Sequence, residues 1–539
     1  MALNAYANGI TEVLVVGGRT TGLMLAVRLA RQGIKVRVVD GSPGIDVNSR
    51  ATLLHSRSLE LLDNLGIADE IRENGQPLRG MRLFMDGKQV LQTRYPPVDS
   101  SYPYGISYSQ AQIEGLLESK LHELGVTVER STELVGLEQD GDSVQASLKR
   151  ADGVEESVQA VFLVGCDGAH SATRHLLGIE FPGVQDKFPY FLADVISEND
   201  EPSDAWFYFL HREGAVMFAI LNGGRRQIVG PLAGDHSADG EPDLAELQEL
   251  VDRRTGGNYR LSDPRWLTYF RINYRVAKRY RDRRAFLAGD AAHVHSPFAG
   301  HGMNTGIQDA CNLAWKLTLA IRGVASEALL ESYEVERRPV ARQVVDNTQT
   351  FTEPGETYPD MTEVERDAFL KGFYKEGEEL IAFRRNFEEL DIDYGASPLS
   401  MDDAADLPQE VRPGLEARNV SGLLHVDANC DLFGFLDGPH HCLLVFAGED
   451  TLVDAACVQA AEALDRYGSW MDVYLVLPRR QDVMPENISV LIDPEAELAD
   501  RYGMSTGGLY LFRPDGYVAY RSRRTDSLGN YVERVMIPG

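Results

Sequence analysis

Residues 284–317, RAFLAGDAAHVHSPFAGHGMNTGIQDACNLAWKL, set an acid, three histidines and closely spaced glycines between an apolar strand and a helix. Asp290 closes the strand AFLAGD, where a carboxylate can bind a sugar hydroxyl or a water held against a phosphate. Gly302, Met303 and Asn304 follow in the loop GHGMN, just ahead of a helix expected from about Thr305. Backbone N–H groups at such a place suit an anion or the edge of an electron-rich ring. His293 and His295 invite a catalytic reading, but neither is assigned a proton transfer.

Two further turns carry binding chemistry. VLVVGGRTTGL, residues 13–23, has the outline of a glycine-rich dinucleotide turn, with Gly17 and Gly22 in the first and third glycine positions and Arg19 in the second. Arginine there adds a Cβ where the backbone would approach a phosphate, and also a guanidinium able to pair with that phosphate. Both readings stay open. Asp40 ends the next strand 18 residues beyond Gly22, close to the spacing of an acid that binds a ribose. VFLVGCDGAHSATR, residues 161–174, is a second strand running into a turn with Asp167, Gly168 and Arg174. Cys430, His440, His441 and Cys442 match no metal spacing, so no metal site is expected.

The elements that must position these residues read plainly at the N-terminus. Glu12–Val16 is an apolar, β-branched run typical of a buried parallel strand, Thr21–Gln32 a helix closed by Gly33, and Lys35–Asp40 the second strand. Residues 79–107 and 181–275 instead alternate apolar and polar side chains between glycine-containing turns, the pattern of antiparallel hairpins. The acid-rich stretch 353–410, with Leu380, Phe383 and Phe387 at helical spacing, reads as amphipathic helices with a solvated acidic face. Pro398 and Pro408 mark a linker, and LYLFRPDGYVAYR near the C-terminus reads as a hairpin turned at Pro514-Asp515-Gly516.

A net charge of −29 argues against nucleic acid and anionic membrane surfaces as partners. Five cysteines without a CxxC pair, no signal-like N-terminus and no apolar run of about 20 residues point to a cytoplasmic protein.

With these motifs assembled, the sequence resembles the class A flavoprotein aromatic hydroxylases, the para-hydroxybenzoate hydroxylase superfamily. Its nearest likeness is to the branch containing phenol hydroxylase, pentachlorophenol monooxygenase and the hydroxylases of aromatic polyketides. The likeness spans nearly the whole chain and rests chiefly on GDAAHVHSPFAGHGMN, with SRATLLHSRSLELL (49–62) and YSQAQIE (108–114) in support. It implies FAD held by Gly17, Gly22, Asp40, Arg50, Gln110, Asp290, Gly302, Met303 and Asn304, and places Asp167 and Gly168 in a motif used for both FAD and NAD(P)H, with Pro297 and Phe298 at the substrate pocket. Arg19 departs from the family's second glycine and is included among the cofactor-binding candidates for its guanidinium. Ala299 and His301 depart from the glycine and glutamine usual in that loop.

The implied fold is α/β. A Rossmann-like FAD-binding domain with C-terminal helices (1–78, 108–180 and 276–400) is interrupted by an antiparallel β-sheet substrate domain (79–107 and 181–275). A thioredoxin-like domain without CxxC (415–539) follows, with a structural role or a part in a homodimer contact. The implied reaction consumes NAD(P)H and molecular oxygen and hydroxylates a phenolic or polycyclic aromatic compound through a flavin hydroperoxide. A flavin-dependent reductase or oxidase on the same fold, and a flavin-free binding protein, are the alternatives. A halogenase is disfavoured because the four tryptophans form no WxWxIP motif.

Overall fold

The computed structural model describes residues 11–536 apart from 49–50, 199–203, 233–239, 241, 299, 358–360, 363, 367, 369–370, 372–374, 427, 437, 449–452 and 482–486, with the backbone alone for 350–357. Arg50 and Ala299 therefore lie outside the described residues.

The unalternated aliphatic run near the N-terminus forms β1 (Thr11–Val16), fully buried from Val13 to Leu14 and beyond as a central parallel strand must be. Helix α1 (Thr20–Arg31) follows after a three-residue turn, and β2 (Val36–Asp40) returns beside β1. Helices α2 (Ser56–Asp63) and α3 (Gln110–Glu123) come next, and then β3 (Glu155–Gly165) and β4 (Ala285–Leu287). In the first sheet β2, β1, β3 and β4 lie side by side and all parallel, so their carboxyl ends form one edge. Gly17, Asp40, Asp167 and Asp290 all emerge along that edge, where open α/β sheets bind ligands.

The second sheet joins distant segments. Gly80–Met85 runs parallel to Ala205–Leu210, so the early hairpin extends a sheet otherwise built from 183–276. Alternation splits its faces. Phe191, Phe207, Phe209 and Phe218 pack in a separate cluster with the helix Leu244–Thr255, whereas Tyr190, Trp206, Tyr208 and Met217 join the core shared with α1 and the helix His301–Ile321. The edge strand of this sheet, His293–Val294, comes from the histidine-bearing motif itself and pairs with Arg275 and Val276.

Helix α4 spans His301–Ile321, four residues earlier than the expected start near Thr305. Gly300 provides the turn, with φ +73°, a left-handed conformation that glycine takes without strain. Gly302, Met303 and Asn304 are therefore in the first helical turn and not in the loop before it. Helices α5 (Glu327–Thr357) and α6 (Gly377–Phe387) continue the chain. The solvated reading of the acid-rich stretch needs correction at its end. Glu388 and Glu389 are buried because Arg384 and residues from α2 and α4 surround them.

A third sheet closes the chain, with neighbouring strands Val518–Ser522, Gly508–Phe512, His441–Phe446 and Met471–Leu477. The last two are parallel and Gly508–Phe512 is antiparallel to them. The hairpin at Pro514-Asp515-Gly516 forms as read, with Gly516 at φ +83°. One face of this sheet packs on Trp315, Leu319 and Leu329 from α4 and α5. No described helix is long and apolar enough to cross a membrane.

Candidate cofactor site

The glycine turn is built by close packing. A Cβ on Gly22 would overlap the Gly17 carbonyl oxygen, and Gly17 (φ +110°) leaves no room for one against the Cys166 backbone. Gly22 thus lets α1 start directly against the end of β1, aiming its N-terminal end and partial positive charge over the sheet edge. Arg19 caps α1 in an extended conformation (φ −104°), which any L residue adopts, so the missing second glycine strains nothing. Its guanidinium points away from the turn to Asp46 at 3.3 Å, with 39% and 28% of the two side chains exposed.

Asp40 is nearly buried. Its Oδ2 accepts from the Gly18 N–H at 2.5 Å and its Oδ1 from the Ser42 N–H at 2.8 Å. It fixes the turn, and lone-pair capacity remains on Oδ2 for a hydroxyl. Gln110 opens α3 and donates to Glu114 Oε1 at 2.8 Å. The same oxygen accepts from the Thr20 N–H (3.2 Å) and hydroxyl (3.0 Å), so a buried carboxylate anchors the first turn of α1 from behind.

The three motifs touch. A Cβ on Gly289 would lie 2.6 Å from the Thr21 hydroxyl, and Gly306 also abuts that hydroxyl. Arg174 from the second motif donates to the Ala291 carbonyl of the third at 3.0 Å. Asp167 is spent on its own turn, accepting from the Ser171 hydroxyl (2.5 Å), the Thr173 N–H (2.9 Å) and the Thr173 hydroxyl (3.0 Å). Gly168 follows at φ +79°, and Asp290 is exposed at the sheet edge.

Asp309 organises the third motif from within. It accepts from the Gly289 N–H (3.0 Å), contacts His293 Nε2 (2.8 Å) and pairs with Arg337 (2.7 Å), all buried. Burial opposes its ionisation, but Arg337 and His293 outweigh that and hold its carboxyl below the usual range. His293 is thereby a brace. His295 donates from Nδ1 to the Ser296 carbonyl (2.9 Å), and burial and His293 push its pKa down to about 3, so the ring is neutral. Its Nε2 lies 3.8 Å from where a Gly302 Cβ would stand.

At the start of α4 the Asn304 amide is fully engaged. It accepts from the His55 N–H (2.9 Å) and donates to the Leu53 (2.9 Å) and Gly300 (2.7 Å) carbonyls. Both donors of the Asn304 amide are therefore spent within this joint. Pro297 is half-buried, and Phe298 packs edge-on to Tyr190 with ring centres 5.9 Å apart. Tyr190 in turn meets Phe270 at 5.8 Å. The pocket pair thus borders the aromatic face of the second sheet.

Sequence reading missed Glu114, Asp309 and Arg337. Their sequence surroundings gave no signal, since Glu114 stands near Gln112 and Glu118, and Asp309 beside Gln308 and near Asn312, as solvated helix acids commonly do.

Comparison with known proteins adds three findings. The model of the FAD binding domain family matches residues 10–348. Among curated proteins, 6-methylpretetramide 4-monooxygenase of Streptomyces rimosus is 33% identical over 526 residues, 95% of this chain and 91% of its own. Pentachlorophenol 4-monooxygenase of Sphingobium chlorophenolicum is 34% identical over 63% of this chain and 64% of its own. Among solved structures, a ternary complex of aklavinone-11 hydroxylase with FAD and aklavinone superposes with a TM-score of 0.78 at 25% identity, over 98% of this chain and 99% of that one.

Proposed function

The chain belongs to the FAD binding domain family and is an FAD-dependent aromatic hydroxylase; from that premise we propose that it hydroxylates a phenolic or polycyclic aromatic substrate at the expense of NAD(P)H and oxygen. One observation carries the reading. Three motifs separated by more than a hundred residues each converge at the carboxyl edge of one parallel sheet, and the last of them becomes an edge strand of the aromatic-faced second sheet.

The residues present fit a dinucleotide. The Gly17–Gly22 contact is one that a side chain would fill, the helix N-terminus and Arg19 supply positive charge, and Asp40 retains acceptor capacity. In this reading Gly17, Arg19, Gly22 and Asp40 hold the nucleotide half of FAD. Gln110, Asp167, Gly168 and Asp290 border its middle, and the first turn of α4 meets the ring. When bound, the flavin supplies the redox chemistry, taking reducing equivalents from NAD(P)H and activating oxygen. The chain supplies position and dryness. Tyr190, Trp206, Tyr208, Met217, Phe270 and Phe298 offer an apolar wall against which a planar ring can stack and from which water is excluded.

We further read residues 415–539 as a thioredoxin-like domain in a structural role, and 79–107 with 181–275 as the substrate domain. The four central C-terminal strands, joined by one parallel and two antiparallel pairings so that only Gly508–Phe512 runs against the other three, support the first reading. The parallel pairing of Gly80–Met85 with Ala205–Leu210 supports the second.

The test is a screen of phenols and multi-ring aromatics for stimulated NADH and NADPH oxidation by the purified protein, with product masses checked for one added oxygen. Stimulation without an oxygenated product would favour an oxidase. A colourless protein that takes up no FAD would favour the flavin-free reading.

Arg19 gives a narrower prediction. An exposed ion pair such as Arg19–Asp46 contributes roughly 0–1 kcal/mol, so its guanidinium is readily transferred to a phosphate. Arg19→Gly is expected to weaken FAD binding by about three- to tenfold and to flatten its dependence on salt. Unchanged or tighter binding in a fluorescence titration would show that Arg19 stays with Asp46.

A further inference from the structure

Two consecutive carboxylates just beyond α6 reach opposite sides of the joint that carries the first turn of α4. Glu388 accepts from the Ser56 N–H (2.9 Å), the Ser56 hydroxyl (3.1 Å) and the Gly105 N–H (3.1 Å) and pairs with Arg384, which fixes the start of α2. Burial alone would raise its pKa, but His55, Arg384 and the Ser56 N–H hold it down to about 2. Glu389 turns the other way. It accepts from His301 Nδ1 at 2.7 Å and from the Gln308 amide, both on the first two turns of α4. The joint between them is closed by Asn304, which bonds the His55 N–H, and by the stacked rings of His55 and His301, 4.7 Å apart.

Glu389 also has φ +61°, a left-handed conformation that a glutamate enters only against steric resistance. Strain of this kind persists where its surroundings enforce it, and it is concentrated at functional sites. Here the strained backbone aims one carboxylate at His301 and Gln308 together. A metal ion is the other chemistry such a group suggests, since His55, His301 and Glu389 offer ligand atoms within 4.8 Å of one another. The two rings are only 27° from parallel, however, so their in-plane lone pairs run side by side and do not converge on one ion.

We propose that Glu389 is a positioning residue for the cofactor: acting through His301, its carboxylate fixes the first turn of α4 in the conformation that receives the flavin ring. The proposal rests on the reading above that Gly302 and Met303 meet that ring. The Glu389 carboxyl accepts a hydrogen bond from His301 Nδ1, and burial lowers the histidine's pKa despite that bond, so the ring is held in one orientation. The same first turn carries Asn304 and abuts His295, so a rotation at His301 would be felt on both sides of the loop.

Glu389→Gly tests this cleanly, because glycine relieves the backbone strain while removing the carboxylate. FAD is titrated into the cofactor-free full-length protein, and the dissociation constant, the visible absorption of bound flavin and the melting temperature of the cofactor-free form are measured. The expected result is an FAD dissociation constant raised about tenfold, the loss of one charge-assisted hydrogen bond, with a shifted flavin band. Melting should stay within about 3 °C of the parent. Glu389→Gln should weaken binding less, because it retains an acceptor for His301. His301→Ala should match Glu389→Gly, and the double variant should bind no more weakly than either single one, as required of a residue acting through another.

Normal FAD affinity in Glu389→Gly would overturn the proposal, as would additive effects of the two substitutions. A melting temperature that falls in step with affinity would also overturn it, since a purely structural role predicts that. A parent protein that takes up no FAD would overturn the cofactor reading itself and this proposal with it, whereas normal uptake by every variant would overturn the proposal alone.

Discussion

Arg513→Met is expected to lower stability by about 3–5 kcal/mol, read as a fall in the urea midpoint followed by tryptophan fluorescence, and to expose the C-terminal unit to limited proteolysis. Arg513 is fully buried where the final hairpin meets α5. It donates two hydrogen bonds to Glu336, at 2.8 and 2.9 Å, and two more to Asp515, at 2.8 and 2.5 Å. Lys316 on α4 reaches Glu336 as well, at 2.7 Å. Two cations and two carboxylates therefore balance inside a buried seam, with the rings of Trp315, Tyr394 and Tyr517 around the guanidinium at 5.2 to 5.4 Å. Burial lowers the Lys316 pKa to about 8 despite Glu336, and Arg513 next to it adds to the lowering.

Removing Arg513 leaves two buried carboxylates facing one ammonium, and the penalty is the stranded charge more than the lost attraction. A change under about 1 kcal/mol would mean that water enters the seam and solvates the carboxylates. An apolar replacement of the whole network would be a different experiment, since well-packed hydrophobic residues can equal or exceed a buried ion pair.

The second large effect concerns the cofactor directly. Gly22→Ala is expected to reduce FAD affinity at least about a hundredfold, leaving the purified protein colourless. The Cβ would overlap the Gly17 carbonyl oxygen and also sit 3.3 Å from the Cys166 Cβ, so relief requires α1 to retreat from the end of β1. Such a retreat removes the helix N-terminus from the sheet edge and breaks the Thr20–Glu114 anchor behind it. Cofactor retention after gel filtration, set against the melting temperature of the cofactor-free protein, checks this. A yellow Gly22→Ala protein with parental affinity would place the nucleotide elsewhere on the sheet edge.

These two substitutions mark different degrees of legibility in the sequence. The Gly22 turn was readable, because a glycine at a strand-to-helix junction answers a steric demand set within a few residues. The same holds for the hairpin at residues 514–516, whose turn residues have backbone preferences of their own. The start of α4 was misplaced by four residues because Gly300 in a left-handed conformation opens the helix, and GHGM by itself lacks the usual capping side chain.

The acids of 353–410 show why other features stayed hidden. Glu388 and Glu389 look like their solvated neighbours in sequence, and only their spatial neighbours distinguish them. Their partners stand at residues 56, 105, 301, 308 and 384. Local pattern records how often acids are exposed, but the burial of a given acid depends on a sum of desolvation and pairing that no short window contains.

By itself the sequence determined the sheet-edge turns, the glycines that open them, the break in texture between the parallel and antiparallel segments, and the lack of a CxxC pair. These follow from rules acting over a few residues: Cβ clashes, side-chain periodicity and fixed turn preferences. Only the tertiary structure decided that Arg19 reaches Asp46, that Asn304 clamps the His55 segment, and that Glu114, Glu336, Glu388 and Glu389 are interior acids. Each of those outcomes depends on which distant charge or N–H group the folded chain brings within about 3 Å, and so on the fold as a whole.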